Sequence, residues 1–384
     1  MRIPFEKSPR STVGLEWELM LVDPDTGELV PAAPGILQVL DGGPQITAEL
    51  LSNTVEITSD PRERIADAVN DLRRRVDLVR PEAERHGARL TSSGSHPFAR
   101  WHEQHLTEKS RYRTLIDRTQ WWGRNLMIWG VHMHVGVDDV DKVFPIINEI
   151  TRYLPHLQAL SASSPYWAGD QTGYASNRAL VFQQLPTAGL PWEFADWAAF
   201  ERYVDDLVGT GVIGQVDELR WDVRPSPHWG TIEIRASDSM SNVAELGALA
   251  ALVQSLVEWC SRRLDAGEVF EPLPPWFHRE NKWRAARYGL DATVITGRDG
   301  SQASVRDHLD QLLPTLEPVA ADLGCSAELA TLRRIPELGA GYQRQLRVAQ
   351  ASDGDLVAVV KHIVDEFDAE RPLPAPVVER GEVR

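Results

Sequence analysis

Cysteine is scarce in this chain, with two among 384 residues, Cys260 and Cys325. Two thiols make neither a disulfide framework nor a zinc cluster. Cys260 sits in the apolar pattern ALVQSLVEWCSRRL and reads as a core residue, with no sign of being a nucleophile. Long apolar runs are missing too: no stretch approaches the roughly 18 residues of a membrane helix. The N-terminal MRIPFEKSPRS has no apolar segment of the signal-peptide kind. A reducing cytoplasm is the expected home. An excess of positive charge is also absent, since 40 basic residues face 56 acidic ones for a net charge of −16. Such a surface repels nucleic acid and anionic membranes, so neither is an expected partner. An anionic small substrate stays possible, because metal ions and local arginines reverse the field inside a cleft. Neither a Walker A sequence nor a G-x-G-x-x-G after a strand nor a G-x-S-x-G elbow occurs. A nucleotide would therefore be held mainly through metals and arginines.

What the chain does have is three apolar segments that each carry two ionisable residues two positions apart. They are Glu16 and Glu18 in TVGLEWELMLV, His132 and His134 in MIWGVHMHVGV, and Glu233 and Arg235 in GTIEIRAS. Residues i and i+2 of a strand share one face. Charges rarely stand inside apolar strands unless they are paired or bind metal. Three such pairs predict one sheet with a polar, metal-binding face.

Strands are expected over 12–22, 53–58, 87–98 (running into a loop) and 125–137, and LRWDVRP with GTIEIRAS reads as a hairpin. Asp60, Pro61 and Glu63 predict a helix start, with Asp60 as N-cap. Ile65, Val69, Leu72, Val76 and Val79 continue it at helical spacing, and Pro81 is expected to kink or end it. Helices dominate 140–210 and nearly everything after 241, where 241–264 is apolar almost all round and reads as buried. Isolated strands and hairpins followed by clustered helices favour an α+β fold, an antiparallel sheet with helices on one side. One domain is expected over 1–371, and the proline-rich, charged 372–384 reads as a mobile tail.

Each candidate has a plainer reading. Glu16 and Glu18 could lie on a solvated edge strand. The apolar Val13, Leu15, Trp17 and Leu19 on the other face argue instead for a hard cation such as magnesium. Glu56, in TVEIT, is a further candidate ligand or a surface position, and Glu49 could serve in its place. His132 and His134 are either core histidines or contacts to metal or phosphate; contact by one of them is the expectation. Glu233 and Arg235 form either a structural ion pair or a metal ligand beside a cation that stabilises charge on a transferred phosphoryl group. Arg224 is a second such cation or a surface arginine. Trp121, Trp122 and Trp129 are expected to pack, with stacking on a ligand ring the lesser reading.

Several blocks resemble the glutamate–cysteine ligase type 2 family. These are GLEWE at 14–18, ELLSNTVEIT at 49–58, GSHPFARW at 94–101, GVHMHVGV at 130–137, NRALVFQQLPTAGLP at 177–191, WDVRP at 221–225, TIEIRASD at 231–238 and GYQRQLRVA at 341–349. The bacterial carboxylate–amine ligase branch is the most similar. The resemblance implies a glutamine-synthetase-like antiparallel sheet, with helices packed on its outer side and ATP and magnesium on its concave face. It implies Glu16, Glu18, Glu56 and Glu233 as metal-binding carboxylates, His132 near metal and nucleotide, and Arg235 on the phosphates. His134 is typical of the branch, and His96 falls in a block without a derivable role. The implied reaction joins a small-molecule carboxylate to an amine through an acyl phosphate, with weak activity on glutamate and cysteine. The substrate pocket is expected among loops 94–112 and 165–192, and a homodimer through exposed helices is compatible with the sequence. Two rivals remain: a metal-dependent hydrolase built on His132 and His134, and a nucleotide-binding relative without catalysis.

Overall fold

The computed structural model describes residues 2–40, 43 and 45–374. Most of the expected tail, 375–384, lies outside the described residues. In chain order the strands are β1 (Val13–Val22), β2 (Ile46–Ala48), β3 (Thr54–Thr58), β4 (Arg89–Thr91) and β5 (Gly130–Gly136). A short hairpin, β6 (Tyr166–Trp167) and β7 (Asp170–Gln171), follows. Then come β8 (Val223–Ser226), β9 (Thr231–Asp238), β10 (Thr293–Ile295) and β11 (Gln302–Ser304). Seven of them form one sheet in the order β2-β3-β1-β5-β9-β8, with β4 also pairing to β1. Every pairing in it is antiparallel. The α+β expectation holds.

The alternation of β1 decides how the sheet is used. Val13, Leu15, Trp17, Leu19 and Leu21 are buried in the main core against the Ile65–Arg85 and Val243–Asp265 helices. Each such side chain contributes about 1.5–3 kcal/mol on burial, which fixes the register and commits Glu16 and Glu18 to the opposite face. That face turns apolar at Met20 and Val22, which pack with Ala99, Trp129 and Val364. The polar face is thereby closed at one end.

Several local expectations need correction. The helix expected from Asp60 begins at Ile65. Arg62 instead bridges to Val13 in extended form, and its guanidinium joins the Asp60 N–H on the Asp71 carboxylate. Pro81 does not end that helix, which continues to Arg85. The strand expected over 87–98 is confined to Arg89–Thr91, and that over 125–137 to Gly130–Gly136. The helical region after 241 contains the β10–β11 hairpin. Finally, Val243–Asp265 is long and apolar enough to cross a membrane by composition, contrary to the reading that no stretch approaches this. It is the core helix: 89% of its most apolar window is buried inside the molecule.

Candidate active site

The antiparallel register brings the three sequence pairs together. Glu16 stands opposite His132, Glu18 opposite Glu56, and His134 opposite Glu233, which in turn faces Arg224. A register shift between β5 and β9 puts two residues, Arg235 and Ala236, against His132 alone. Such a bulge re-aims a side chain. It leaves the Arg235 guanidinium 3.5 Å from His132 Nδ1.

The polar groups bind one another closely. His132 Nδ1 lies 2.8 Å from Glu16 Oε2, and His134 Nε2 lies 3.2 Å from Glu16 Oε1. The other nitrogen of His134, Nδ1, is 2.9 Å from Thr231 Oγ1. Arg224 Nε donates to Glu233 Oε2 at 2.6 Å, and Arg235 donates to Glu233 Oε1. The ion-pair reading of Glu233 and Arg235 is therefore present as drawn. Thr47 Oγ1 donates to Glu56 Oε1 at 3.1 Å. The Gly130 N–H donates to Glu18.

Two triads have ligand atoms within 4.8 Å of one another: Glu16, His134 and Glu233, and Glu16, Glu56 and His132. Glu16 belongs to both. Oxygen-rich sets of this kind suit a hard cation such as magnesium better than zinc. The electrostatics agree. Burial, then the neighbouring Glu49, raise Glu18 to about 7. Burial and the negative charges of Glu49, Glu16 and Glu18 push Glu56 well above the carboxylate range. Burial would raise Glu16 as well, but hydrogen bonds from His132 and His134 hold it well below. Glu233 is likewise low, because Arg235 and Arg224 outweigh its burial. Burial and Arg235 lower His132 to about 4, so it is neutral near pH 7. His134 is raised, since Glu233 and Glu16 overcome its burial. Crowded carboxylates held partly protonated are what a divalent cation would relieve.

These groups line a cavity of about 880 Å³. All the predicted site residues line it except Glu56, which sits one strand over on the same face. Glu49 lines it too, but its carboxylate accepts from Tyr112 Oη at 3.3 Å and lies 3.7 Å from Arg111. Arg178 is a residue the strand pattern missed. It is buried, its NH1 donates to the Arg235 carbonyl at 3.2 Å, and it lines the cavity from the Asn177–Phe182 helix. A side chain at Gly130 would strike it, so that glycine admits Arg178. Arg118 and Arg220 line the same cavity. Arg178 and Arg111 fall within the two segments expected to build the substrate pocket, but on helices, Asn177–Phe182 and Ser110–Thr119, rather than on loops. His96 is structural: Nε2 lies 2.8 Å from the Gly27 carbonyl, and Nδ1 accepts from the Ala99 N–H at 3.0 Å. Trp129 is buried and donates to Thr54 Oγ1 at 2.8 Å, as packing predicts. Trp121 and Trp122 are exposed and contact each other edge to face.

Comparison with known proteins gives a consistent picture. The profile of the family described as Glutamate-cysteine ligase family 2 (GCS2) matches residues 12–362. A protein of Leifsonia xyli subsp. xyli, provisionally named glutamate–cysteine ligase 2, is 54% identical over 371 residues, covering 95% of this chain and 98% of its own. One of Mycobacterium ulcerans with the same provisional name is 53% identical over 367 residues, covering 96% and 94%. Among solved structures, glutamate–cysteine ligase from Francisella tularensis in complex with AMP shares the fold. Its TM-score is 0.69 at 14% identity, over 97% of this chain and 91% of that one.

Proposed function

The chain belongs to glutamate–cysteine ligase family 2, and from that premise we propose that it is an ATP- and magnesium-dependent carboxylate–amine ligase. The single observation that carries this reading is the polar sheet face. Glu16, Glu18, Glu233 and two histidines converge beside two arginines in a cavity large enough for a nucleotide and a small acid, with Glu56 one strand over on the same face. On this reading residues 1–371 act as one catalytic unit.

Glu16, Glu18, Glu56, Glu233 and His132 would hold magnesium, which when bound lowers the repulsion between triphosphate and attacking carboxylate. Arg235 and Arg224, fixed by Glu233, orient the γ-phosphoryl group and stabilise its equatorial oxygens during transfer. The acid's carboxylate oxygen attacks the γ-phosphorus and ADP leaves, giving an acyl phosphate. The amine nitrogen then attacks the acyl carbon, phosphate leaves, and the amine loses a proton to form the amide. Arg118, Arg178 and Arg220 supply positive charge for the acid substrate. Glutamate and cysteine are the first pair to try, as the relatives' names suggest. The hydrolase alternative is disfavoured because each triad has two carboxylates and a single histidine, where zinc hydrolase sites carry at least two nitrogen or sulfur donors.

The test is ADP release from MgATP with glutamate and a panel of amines including cysteine, against an EDTA control. Release that needs acid, amine and magnesium together is expected. Substrate turnover that needs no ATP would overturn the proposal.

A further inference from the structure

A second cavity, of about 960 Å³, lies behind the first. The two share a wall. Phe182, Leu185 and Pro186 line the carboxylate cavity, while Leu180, Thr187 and Leu190 of the same helix and loop line the other. The second cavity is strongly aromatic. Trp192 and Trp283 are 63% and 41% exposed, and Tyr203 and Trp221 also line it. Exposed indole on a concave surface of this size is the ordinary setting for a planar ligand.

Its charges are specific. Lys282 lines the cavity at 8% exposure, and its ammonium donates to Asp222 Oδ2 at 2.6 Å. Two of its three N–H bonds have no partner among the described residues. Arg279 and Glu193 also line the cavity, and neither has an ion-pair partner among the described residues. Glu280, by contrast, is held by Arg284 at 2.8 Å. Arg279 and Glu193 are both solvent-exposed, and Arg279 favours an anionic group there and Glu193 a cationic one. A ring, a carboxylate and an ammonium together suit the tryptophans, the cationic Lys282 and Glu193. We propose that this cavity is a regulatory site for an amino acid with an aromatic side chain, its ring against the tryptophans, its carboxylate on Lys282 and its ammonium on Glu193.

Coupling to the first cavity runs through Asp222. Its N–H donates to the Gly189 carbonyl in the shared loop at 2.7 Å, and its carbonyl accepts from the Arg235 N–H at 2.8 Å. A carboxylate that draws Lys282 away from Asp222 thus acts on the residue tying the loop to the Arg235 strand. The regulatory half rests on the ligase reading; the binding half does not.

The test is calorimetric titration of the full chain with L-phenylalanine, L-alanine, 3-phenylpropionate and phenethylamine. Phenylalanine is expected to bind with a Kd below about 1 mM, and each of the others at least tenfold more weakly. Trp192→Ala, on an exposed position that the fold does not need, should weaken phenylalanine at least tenfold. Trp229→Ala, at the carboxylate cavity, should leave it unchanged. Absence of binding overturns the proposal, as does binding lost in Trp229→Ala but kept in Trp192→Ala. In the ADP-release assay, phenylalanine should change the wild-type rate at least twofold and the Trp192→Ala rate not at all. An active ligase indifferent to bound phenylalanine overturns the regulatory half alone.

Discussion

One buried cluster of charge lies among the C-terminal helices and another on the sheet face. In the first, Arg344 is 1% exposed and donates to Glu366 Oε1 at 2.5 Å and to Glu245 Oε2 at 2.7 Å. Its second contacts to the same carboxylates are 2.9 Å and 3.0 Å. Asn242, Ser241 and the Leu373 N–H fill the remaining acceptor positions. Burial would raise Glu366, yet His362 and Arg344 hold it at about 2. The sheet face has the same residue types but matches only some of them: Glu16 and Glu233 are held by histidines and arginines, while Glu18 and Glu56 are raised by burial and by like charge. A cluster that satisfies its own charges builds the fold. One that sets like charges side by side is suited to a divalent cation.

The sharpest way to break the comparison is to remove the hub of the satisfied cluster. Arg344→Met strands two buried carboxylates, and we expect it to cost about 3–5 kcal/mol of stability, read from urea unfolding. A loss under about 1 kcal/mol would mean that the network relaxes and is not a structural hub.

The unsatisfied cluster should instead show itself through pH and metal. Glu18 titrates at about 7 in the fold against an ordinary 4.5. The native state therefore holds a proton that the unfolded chain has already released between those values. Stability is full below about pH 4.5 and is lost as pH rises through 7, by up to about 3 kcal/mol. Glu56 acts in the same direction. Glu16 and Glu233, both lowered, have made their full contribution before this window opens. Buried histidines such as His96, held at about 4, pull the other way below pH 6.5. The difference between wild type and Glu18→Gln cancels them. Without metal, Glu18→Gln should gain on wild type from pH 5 to 8 in thermal unfolding, and millimolar magnesium should shrink that gain. A pH-independent difference would refute the raised carboxylate.

Glu233→Gln keeps the side-chain shape and removes the charge that fixes Arg224 and Arg235. ADP release should fall at least 100-fold, about 2.7 kcal/mol of barrier. The far-UV spectrum should be retained, because both arginines still reach the open cavity. Wild-type turnover in this variant would remove Glu233 from the site.

Strand periodicity made much of this face legible. Glu16, Glu18, His132, His134, Glu233 and Arg235 all share it, because a two-residue repeat in an apolar strand leaves few other arrangements. What periodicity could not give is anything that depends on register or on a helix approaching from elsewhere. Arg178 reaches the site from a helix, in a block that the family resemblance marked without a role. Gly130 matters only because of the side chain beside it. The misplaced helix start at Asp60 failed for a related reason: a long-range bridge from Arg62 to Val13 outweighed a good local capping signal. The second cavity takes much of its lining from the 165–192 segment that the sequence marked for a pocket, but nothing in the sequence separates it from the first.

The smallest expected effect separates the two histidines, which the sequence alone left equivalent. His132 is neutral, and its 2.8 Å contact to Glu16 outweighs the 3.5 Å approach of Arg235. Its Nδ1 therefore carries the proton and donates to Glu16, leaving the Nε2 lone pair for a cation. His134 has both nitrogens engaged, with Thr231 and with Glu16, and its raised pKa favours two donors and no lone pair. His132→Gln should thus raise the magnesium concentration for half-maximal ADP release by more than tenfold. His134→Gln should lower the rate only a few-fold, with that concentration nearly unchanged, since it loses a hydrogen bond to Glu16 and not a ligand. Equal magnesium shifts in the two variants would place both imidazoles on metal and make the Glu16–His134–Glu233 triad a second cation site.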